Sequence, residues 1–340
     1  EKTYSDSQFF YCCDLMRLYV GRFPVSDKND LYLSRLRDVK SKLLARGRDS
    51  LTVGKHLEAA VSLSAHCLIF PNSKDNNQIL GNAAKSAEIA GLPLLEVEMR
   101  LRLLRRNAGQ VDFSSTKILS EKALRQRRYF IAINVLDQFL KQDYSHPKAG
   151  PGFMLSGGVH ELAGCYEAAA VKYNQALLWC EDMKRINYSE NNDTNGFNIE
   201  IAAIQRTASL SIGHALLSEA KRRHLRASTA VFAGKLHDQA IAKFEELLKS
   251  VEPGSLESLD FLLGLARARV ESARYKQSHS SVLDRDEIQD AYARCIPVCE
   301  SYLRVMDQGF TSDENAFSSV IGHDRHEVAF VLMEALFAIG

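Results

Sequence analysis

The chain has 340 residues, about twice the length of a typical single domain, so it accommodates two globular domains or one elongated repeat array. Its 46% hydrophobic and 25% charged residues are ordinary for a soluble protein that buries a sizeable core. Lys and Arg number 43 against 42 Asp and Glu, and this balance argues against a general affinity for nucleic acid or anionic membranes. No segment reaches the ~18 consecutive apolar residues of a membrane span.

The cysteines favour a reducing compartment. Their number is odd and most of them lie in apolar helical stretches, which is typical of thiols that act as small core side chains. The sequence therefore predicts a cytoplasmic or nuclear protein without a disulfide framework. The seven cysteines are Cys12, Cys13, Cys67, Cys165, Cys180, Cys295 and Cys299.

Helical periodicity dominates the chain, and no convincing run of alternating strand residues occurs. Apolar residues recur at three-and-four spacing, which aligns them on one helix face. Pro297 is expected to kink or divide the helix that contains it. The predicted helices are 55–70, 94–107, 117–142, 159–183, 199–224, 228–250, 256–276, 286–306 and 326–339.

One pattern recurs within these helices. A small residue follows a ring side chain by three positions and precedes a large apolar residue by four. The alanines of the three copies are Ala132, Ala169 and Ala240, so they are 37 and 71 positions apart. Because 71 is twice 35.5, the spacing predicts one further unit between the second and third copies, around residues 202–217. The copies begin at Tyr129, Tyr166 and His237 and continue to Leu140, Leu177 and Leu248.

This pattern resembles the tetratricopeptide (TPR) family, whose unit is a helix–turn–helix of about 34 residues. The resemblance is clearest in 115–275, and its best unit spans about 150–183, where Gly164-Cys165-Tyr166 matches the family's turn. No unit carries the family's early Trp. The resemblance implies an all-α solenoid of stacked antiparallel helix pairs that form a right-handed superhelix.

Three regions follow from this interpretation: an N-terminal helical region at 1–50, the repeats at 51–276, and C-terminal helices at 277–340. The apolar end of the chain, residues 328–340, is expected to need a capping helix, a partner or further chain.

Motifs of catalysis or cofactor binding are not evident, so the prediction is a non-enzymatic chain with no cofactor and no metal. Residues 81–86 superficially resemble a phosphate-binding loop but lack its second glycine, and a helix that begins near Ile79 is the better interpretation. A zinc site from Cys295, Cys299, His323 and His326 is conceivable by spacing. An apolar setting for the cysteines and an N-cap role for Asp324 are favoured over it.

Basic residues concentrate at 100–106, 125–128 and 221–226. The favoured interpretation is a solvated face on which Glu96, Glu98, Glu121 and Glu219 are the intervening partners. Stacked repeats would otherwise align these groups into a basic stripe for an acidic peptide, a phosphorylated motif or nucleic acid.

The leading hypothesis is a protein-interaction scaffold, a subunit of a larger assembly, that binds a peptide or helix of a partner protein on its repeat surface. The alternative is an array that binds nucleic acid or a phospho-motif through the basic clusters. The predicted partner-binding residues are Asn82, Lys85, Arg102, Arg106, Lys122, Arg125, Arg128, His160, Arg222, Arg223 and Arg267.

Overall fold

A computed structural model describes most of the chain. The chain divides into two compact units at residues 1–142 and 143–340. Every described element is a helix, and no strand occurs in the described ranges. For 187–190, 195, 308–309 and 322–324 only the backbone is described. The described residues are 18, 22, 28–73, 75–106, 112–141, 144, 146–190, 195–226, 229–279, 285–309 and 322–339.

From residue 29 to residue 140, the described helices of unit 1 form three pairs. Each first helix packs antiparallel to its second helix, and the second helices of neighbouring pairs also pack on one another. The helices are α1 (Asn29–Thr52), α2 (His56–Ile69), α3 (Asn76–Ile89), α4 (Pro93–Arg106), α5 (Phe113–Arg125) and α6 (Tyr129–Leu140).

Unit 2 continues the same plan with longer helices. The first helix α9 packs against both α8 and α10, and α14 packs against α11, α12 and α13. A 3-10 turn at Leu256–Ser258 precedes α11. The helices are α7 (Ala149–Leu162), α8 (Tyr166–Glu190), α9 (Asn195–His224), α10 (Val231–Lys249), α11 (Leu259–His279), α12 (Arg285–Ala293), α13 (Ile296–Gly309) and α14 (Gly322–Ile339). The prediction of an all-α solenoid of antiparallel helix pairs is confirmed.

In each of the first four pairs, the same type of turn joins the first helix to the second. A residue with positive φ follows each first helix: Gly54, Gly91, Arg127 and Gly164, with φ of 72°, 70°, 53° and 72°. The next residue donates its backbone N–H to the carbonyl five positions earlier, as in Cys165 to His160 at 2.8 Å, which is the Schellman closure of a helix end. These four positions are 37, 36 and 37 apart, so the repeat extends through unit 1 as clearly as through 115–275.

The turns correct two predicted helices. Segment 117–142 is divided at 126–128, and segment 159–183 is divided at 163–165. The first division was hidden because Arg127, and not a glycine, adopts the left-handed conformation there. The predicted division near Pro297 is confirmed, since α12 ends at Ala293 and α13 begins at Ile296.

The predicted extra unit between Ala169 and Ala240 is wrong. Both alanines are fully buried on second helices, α8 and α10, but these helices belong to successive pairs. The 71-residue separation arises because α8 and α9 have 25 and 30 residues, about twice the 13 and 12 residues of α5 and α6.

Aromatic rings pack against glycines within the largely aliphatic core of unit 2. The ring of Phe244 on α10 occupies the space beside Gly213 on α9 and Gly264 on α11, and that of Tyr173 lies against Gly157. Because these glycines lack a Cβ, the rings of second helices approach the backbones of first helices directly.

The helices in the described part of the chain include none long and apolar enough to span a membrane. The predicted N-cap role of Asp324 is wrong, because α14 begins at Gly322 and Asp324 lies inside its first turn. The three predicted regions, 1–50, 51–276 and 277–340, stay a prediction.

Candidate functional site

Unit 1 contains an open cavity of about 500 Å³, here called the arginine groove. It lies where α2 ends, α3 begins and α4 ends. Its buried floor combines apolar and polar groups, and guanidinium groups form its wall. The lining residues are Cys67, Pro71, Asn72, Asn76, Leu80, Arg102, Arg105 and Arg106.

Helical spacing and a clamped turn build this groove. Arg102, Arg105 and Arg106 occupy positions three and four apart in the last turns of α4, so they share one helix face. The turn before α3 is held by Asn76, whose side-chain amide donates to the carbonyls of Phe70 and Pro71, each at 2.7 Å. Helix geometry therefore sets the positions of the arginines, and the side chain of Asn76 holds the turn.

Within the described residues, each groove arginine makes one hydrogen bond. Arg102 Nε donates to Glu98 at 2.7 Å, Arg105 Nη2 donates to Asn134 Oδ1 at 3.3 Å, and Arg106 donates to the Pro71 carbonyl. A guanidinium has five N–H donors. Most of the donors around the groove thus remain available to a ligand.

The groove carries a net positive charge. In the part of the chain that the structure describes, its lining contains three arginines and no carboxylate. Burial raises the pKa of Cys67 to about 11, against the opposing effect of Arg106 and Arg102, so the thiol is neutral at pH 7. With Arg102 neutralised by Glu98, the groove presents about two uncompensated positive charges.

Other members of the same basic cluster serve the fold. Arg100 contacts Glu96 and Glu88 at 2.8 and 2.9 Å, and Lys122 contacts the same carboxylates at 2.6 and 3.0 Å. The side chain of Glu96 is only 4% exposed. This network ties α3, α4 and α5 together and raises the pKa of Lys122, chiefly through the hydrogen bond to Glu96. The interpretation of Glu96 and Glu98 as intervening partners is confirmed.

Besides Lys122, four predicted residues of unit 1 lie outside the groove. Asn82 and Lys85 are exposed on α3, while Arg125 and Arg128 are exposed around the α5–α6 turn. They are accessible to a partner, and a role for them stays a prediction.

In unit 2, Arg222 and Arg223 hold a buried carboxylate. Glu219 is 1% exposed and accepts from Arg222 Nε and Nη2 and from Arg223 Nε at 2.7–2.8 Å. Arg223 also contacts Glu167 on α8. Burial alone would raise the pKa of Glu219, but the two arginines outweigh it and hold the pKa below its usual value. The partner role expected for Glu219 is confirmed.

Replacing Glu219 with Gln is expected to destabilise unit 2 by about 2 kcal/mol at pH 7, because hydrogen bonds to a charged group are lost within a buried site. A carboxylate whose folded pKa is depressed contributes stability above its unfolded pKa of ~4.3, and that contribution is lost as pH falls through the folded value. Urea unfolding of both proteins from pH 7 down to pH 3 measures this. The difference in the free energy of unfolding between the two proteins should narrow below pH ~4.3. A difference that stays constant over the whole pH range would contradict the assignment.

The remaining predicted residues also lie at helix contacts. Arg267 on α11 binds Glu327 on α14 through Nε and Nη2 at 2.6 and 2.5 Å. His160 is half-buried in the last turn of α7, and its carbonyl accepts the bond that closes the α7–α8 turn. Arg102 and Arg106 are thus the two predicted residues that line the groove.

Sequence patterns indicated the arginines but not the rest of the groove. Pro71, Asn72 and Asn76 stand about 30 positions before Arg102 and looked like an ordinary interhelix loop. The sequence does contain one indication of the groove. This loop and the arginines are about one repeat apart, and a separation of one repeat places the end of α4 beside the end of α2.

Cys295 and Cys299 are fully buried free thiols, and burial raises their pKa values to about 12 and 11. Within the described ranges, no group of three or more His, Cys, Asp or Glu side chains is placed to hold a metal ion. Cys12, Cys13 and the side chain of His323 lie outside the described residues.

Comparisons with known proteins return structural likenesses alone. No family model matches the chain, and no curated protein matches it. Among solved structures, MamA protein is 15% identical over 73% of this chain and 98% of its own, with a TM-score of 0.30. An assembly chaperone of RpL4 (Acl4) is 13% identical over 78% and 97%, with a TM-score of 0.35. A tetratricopeptide repeat protein from Parabacteroides merdae is 15% identical over 79% and 99%, with a TM-score of 0.26. At these scores the fold assignment rests on the helix pairs of this chain.

Proposed function

We propose that this chain is a non-enzymatic interaction scaffold that binds an acidic segment of a partner protein in the arginine groove. The observation that carries the proposal is the groove itself: guanidinium groups with available N–H donors stand over a buried floor on rigid helices. Arginine forks match carboxylate geometry and bind it through charge-assisted hydrogen bonds.

The apolar part of the floor favours a protein ligand over a bare ion. Leu80 and Cys67 are buried beneath the arginines, with 2% and 3% exposure, and Pro71 stands at the edge. Such a floor suits the carbon atoms of a peptide, while the arginines hold its anionic groups. The raised pKa of Cys67 makes it a poor nucleophile, which supports binding rather than covalent chemistry.

The alternative of nucleic-acid binding through a long basic stripe has less support. Arg100, Lys122, Arg222 and Arg223 are engaged with carboxylates of the chain, which cancels much of the charge that a phosphodiester backbone would meet. We also propose that the protein acts in the cytoplasm or the nucleus as a subunit of a larger assembly. The five described cysteines are free, in keeping with a reducing compartment.

The test uses the full chain and a short fluorescent peptide in which glutamate alternates with leucine. A groove variant carries Arg102→Gln, Arg105→Gln and Arg106→Gln. The control variant carries Arg37→Gln, Lys55→Gln and Lys117→Gln, which removes the same charge from exposed sites of unit 1 outside the groove and outside the predicted partner-binding residues. Fluorescence anisotropy should show at least a ~tenfold loss of affinity for the groove variant, or ~1.4 kcal/mol, and little change for the control.

Two results would contradict the proposal. One is no measurable binding of the glutamate peptide to the unmodified chain. The other is an equal loss of affinity in both variants, which would mean that general charge, and not the groove, attracts the peptide.

A further inference from the structure

The uncompensated charge of the arginine groove exceeds what one carboxylate neutralises. Three arginines line the groove, Glu98 pairs with one of them, and the described lining residues include no carboxylate. A glutamate or aspartate side chain brings one negative charge. A phosphorylated side chain brings about −1.5 to −2 at pH 7, which matches a groove of about +2.

The donor arrangement leads to the same ligand. Among the described residues, Arg105 and Arg106 each make one hydrogen bond, to Asn134 and to the Pro71 carbonyl, which leaves several N–H groups of each for a ligand. A phosphoryl group offers three acceptor oxygens that two or three guanidinium forks can share, whereas a carboxylate offers two. Phosphate monoesters therefore use more of the donors that the groove presents.

The size and floor of the groove indicate that the phosphoryl group is attached to a protein. About 500 Å³ is far more than an inorganic phosphate fills, and buried Leu80 and Cys67 would leave apolar surface uncovered beside a free ion. The carbon atoms of a phosphorylated residue and its neighbours would cover that surface.

We propose that the arginine groove recognises a phosphomonoester side chain on the partner's segment. This inference rests on the proposed function. Phosphorylation of the partner would then control its binding to the scaffold, because the unmodified serine or threonine supplies no charge to the arginines.

Three peptides of one sequence test this, with serine, glutamate or phosphoserine at a central position. The phosphoserine peptide should bind the full chain at least ~tenfold more tightly than the glutamate peptide, and the serine peptide should bind least. The groove variant should lose that preference, while the Arg37/Lys55/Lys117 control variant should keep it.

The pH profile of the unmodified chain provides a test that needs no variant. The second pKa of a phosphomonoester is about 6, so affinity for the phosphoserine peptide should fall several-fold from pH 7 to pH 5. The glutamate peptide stays charged over this range. Beside the groove, the arginines stay charged and Cys67 stays protonated. Burial together with Lys40 and Arg48 lowers the pKa of His66, against the influence of Asp75, and protonation of that ring would strengthen anion binding.

Each contrary outcome has a distinct meaning. Equal affinity for phosphoserine and glutamate peptides, lost in the groove variant, overturns the phosphoryl assignment and leaves the proposed function standing. Inorganic phosphate that competes as tightly as the phosphopeptide overturns the assignment to a protein ligand. A pH-independent preference for a single-stranded oligonucleotide overturns it in favour of phosphodiesters. If none of the peptides binds, both proposals fail.

Discussion

Replacing Gly157 with alanine is expected to destabilise unit 2 by about 2 kcal/mol, whereas the same change at the adjacent Gly158 should be neutral or stabilising. A Cβ at Gly157 would lie 2.3 Å from Cε1 of Tyr173, but a Cβ at Gly158 would find its nearest atom, the Tyr173 hydroxyl, at 3.9 Å. Both residues lie inside α7, so both substitutions gain the same helix propensity of up to ~1 kcal/mol.

Tyr173 has little freedom to yield to the new methyl group. It is 3% exposed, and its hydroxyl hydrogen-bonds with Glu161 of α7 and Ser211 of α9. Moving the ring would disturb these bonds and the contact between the two first helices. Thermal unfolding followed by circular dichroism should show a lower midpoint for Gly157→Ala by about 4–8 °C. Equal midpoints for the two variants would contradict the close approach.

The second large effect centres on Phe244 and is expected to appear as non-additivity. A Cβ at Gly213 would lie 2.6 Å from Cζ and 2.8 Å from Cε1 of this ring. Leucine has neither atom, so Phe244→Leu should relieve the clash that Gly213→Ala creates. We expect about 2 kcal/mol of destabilisation from each single change, and a double variant at least ~1 kcal/mol more stable than their sum.

Gly264 is the matched control for this cycle. A Cβ there would lie 2.3 Å from Cε1 but also 2.7 Å from Cδ1 of Phe244, and leucine keeps a Cδ atom. The Gly264→Ala and Phe244→Leu pair should therefore couple less strongly. Urea unfolding of the single and double variants measures both cycles. Strict additivity at Gly213 would show that the ring has another way to move.

The sequence predicts the helix pairs well because burial repeats along the chain. Ala132, Ala169 and Ala240 were recognised from spacing alone, and each is fully buried on a second helix. Pro297 was correctly expected to divide its helix, since a proline in a helix interior removes a hydrogen bond.

The errors have local causes. The alanine spacing between Ala169 and Ala240 gives no information about helix length, so the extra length of the consecutive helices α8 and α9 was mistaken for a further unit. The end of α5 was missed because Arg127 adopts a backbone conformation that glycine usually occupies.

The candidate site was only partly predictable for a geometric reason. Arg100 and Arg102 are two positions apart, which places them on different sides of α4. One binds Glu96 and Glu88, and the other lines the groove. Charge clustering alone does not separate these roles, because each of these arginines pairs with a glutamate four positions earlier on α4. What distinguishes Arg102 is that α2 and α3 supply the rest of the groove beside it.

The position of Phe244 also determines how the middle of unit 2 responds to stress. Repeat proteins are commonly treated as rows of units, in which each unit has its own stability and each interface adds a separate term. Here one ring supplies both terms, since it packs on the first helix of its own pair and on that of the next pair. Neither pair can open without exposing the ring to water. Heat, denaturant or pulling force should therefore release α9, α10 and α11 in a single step.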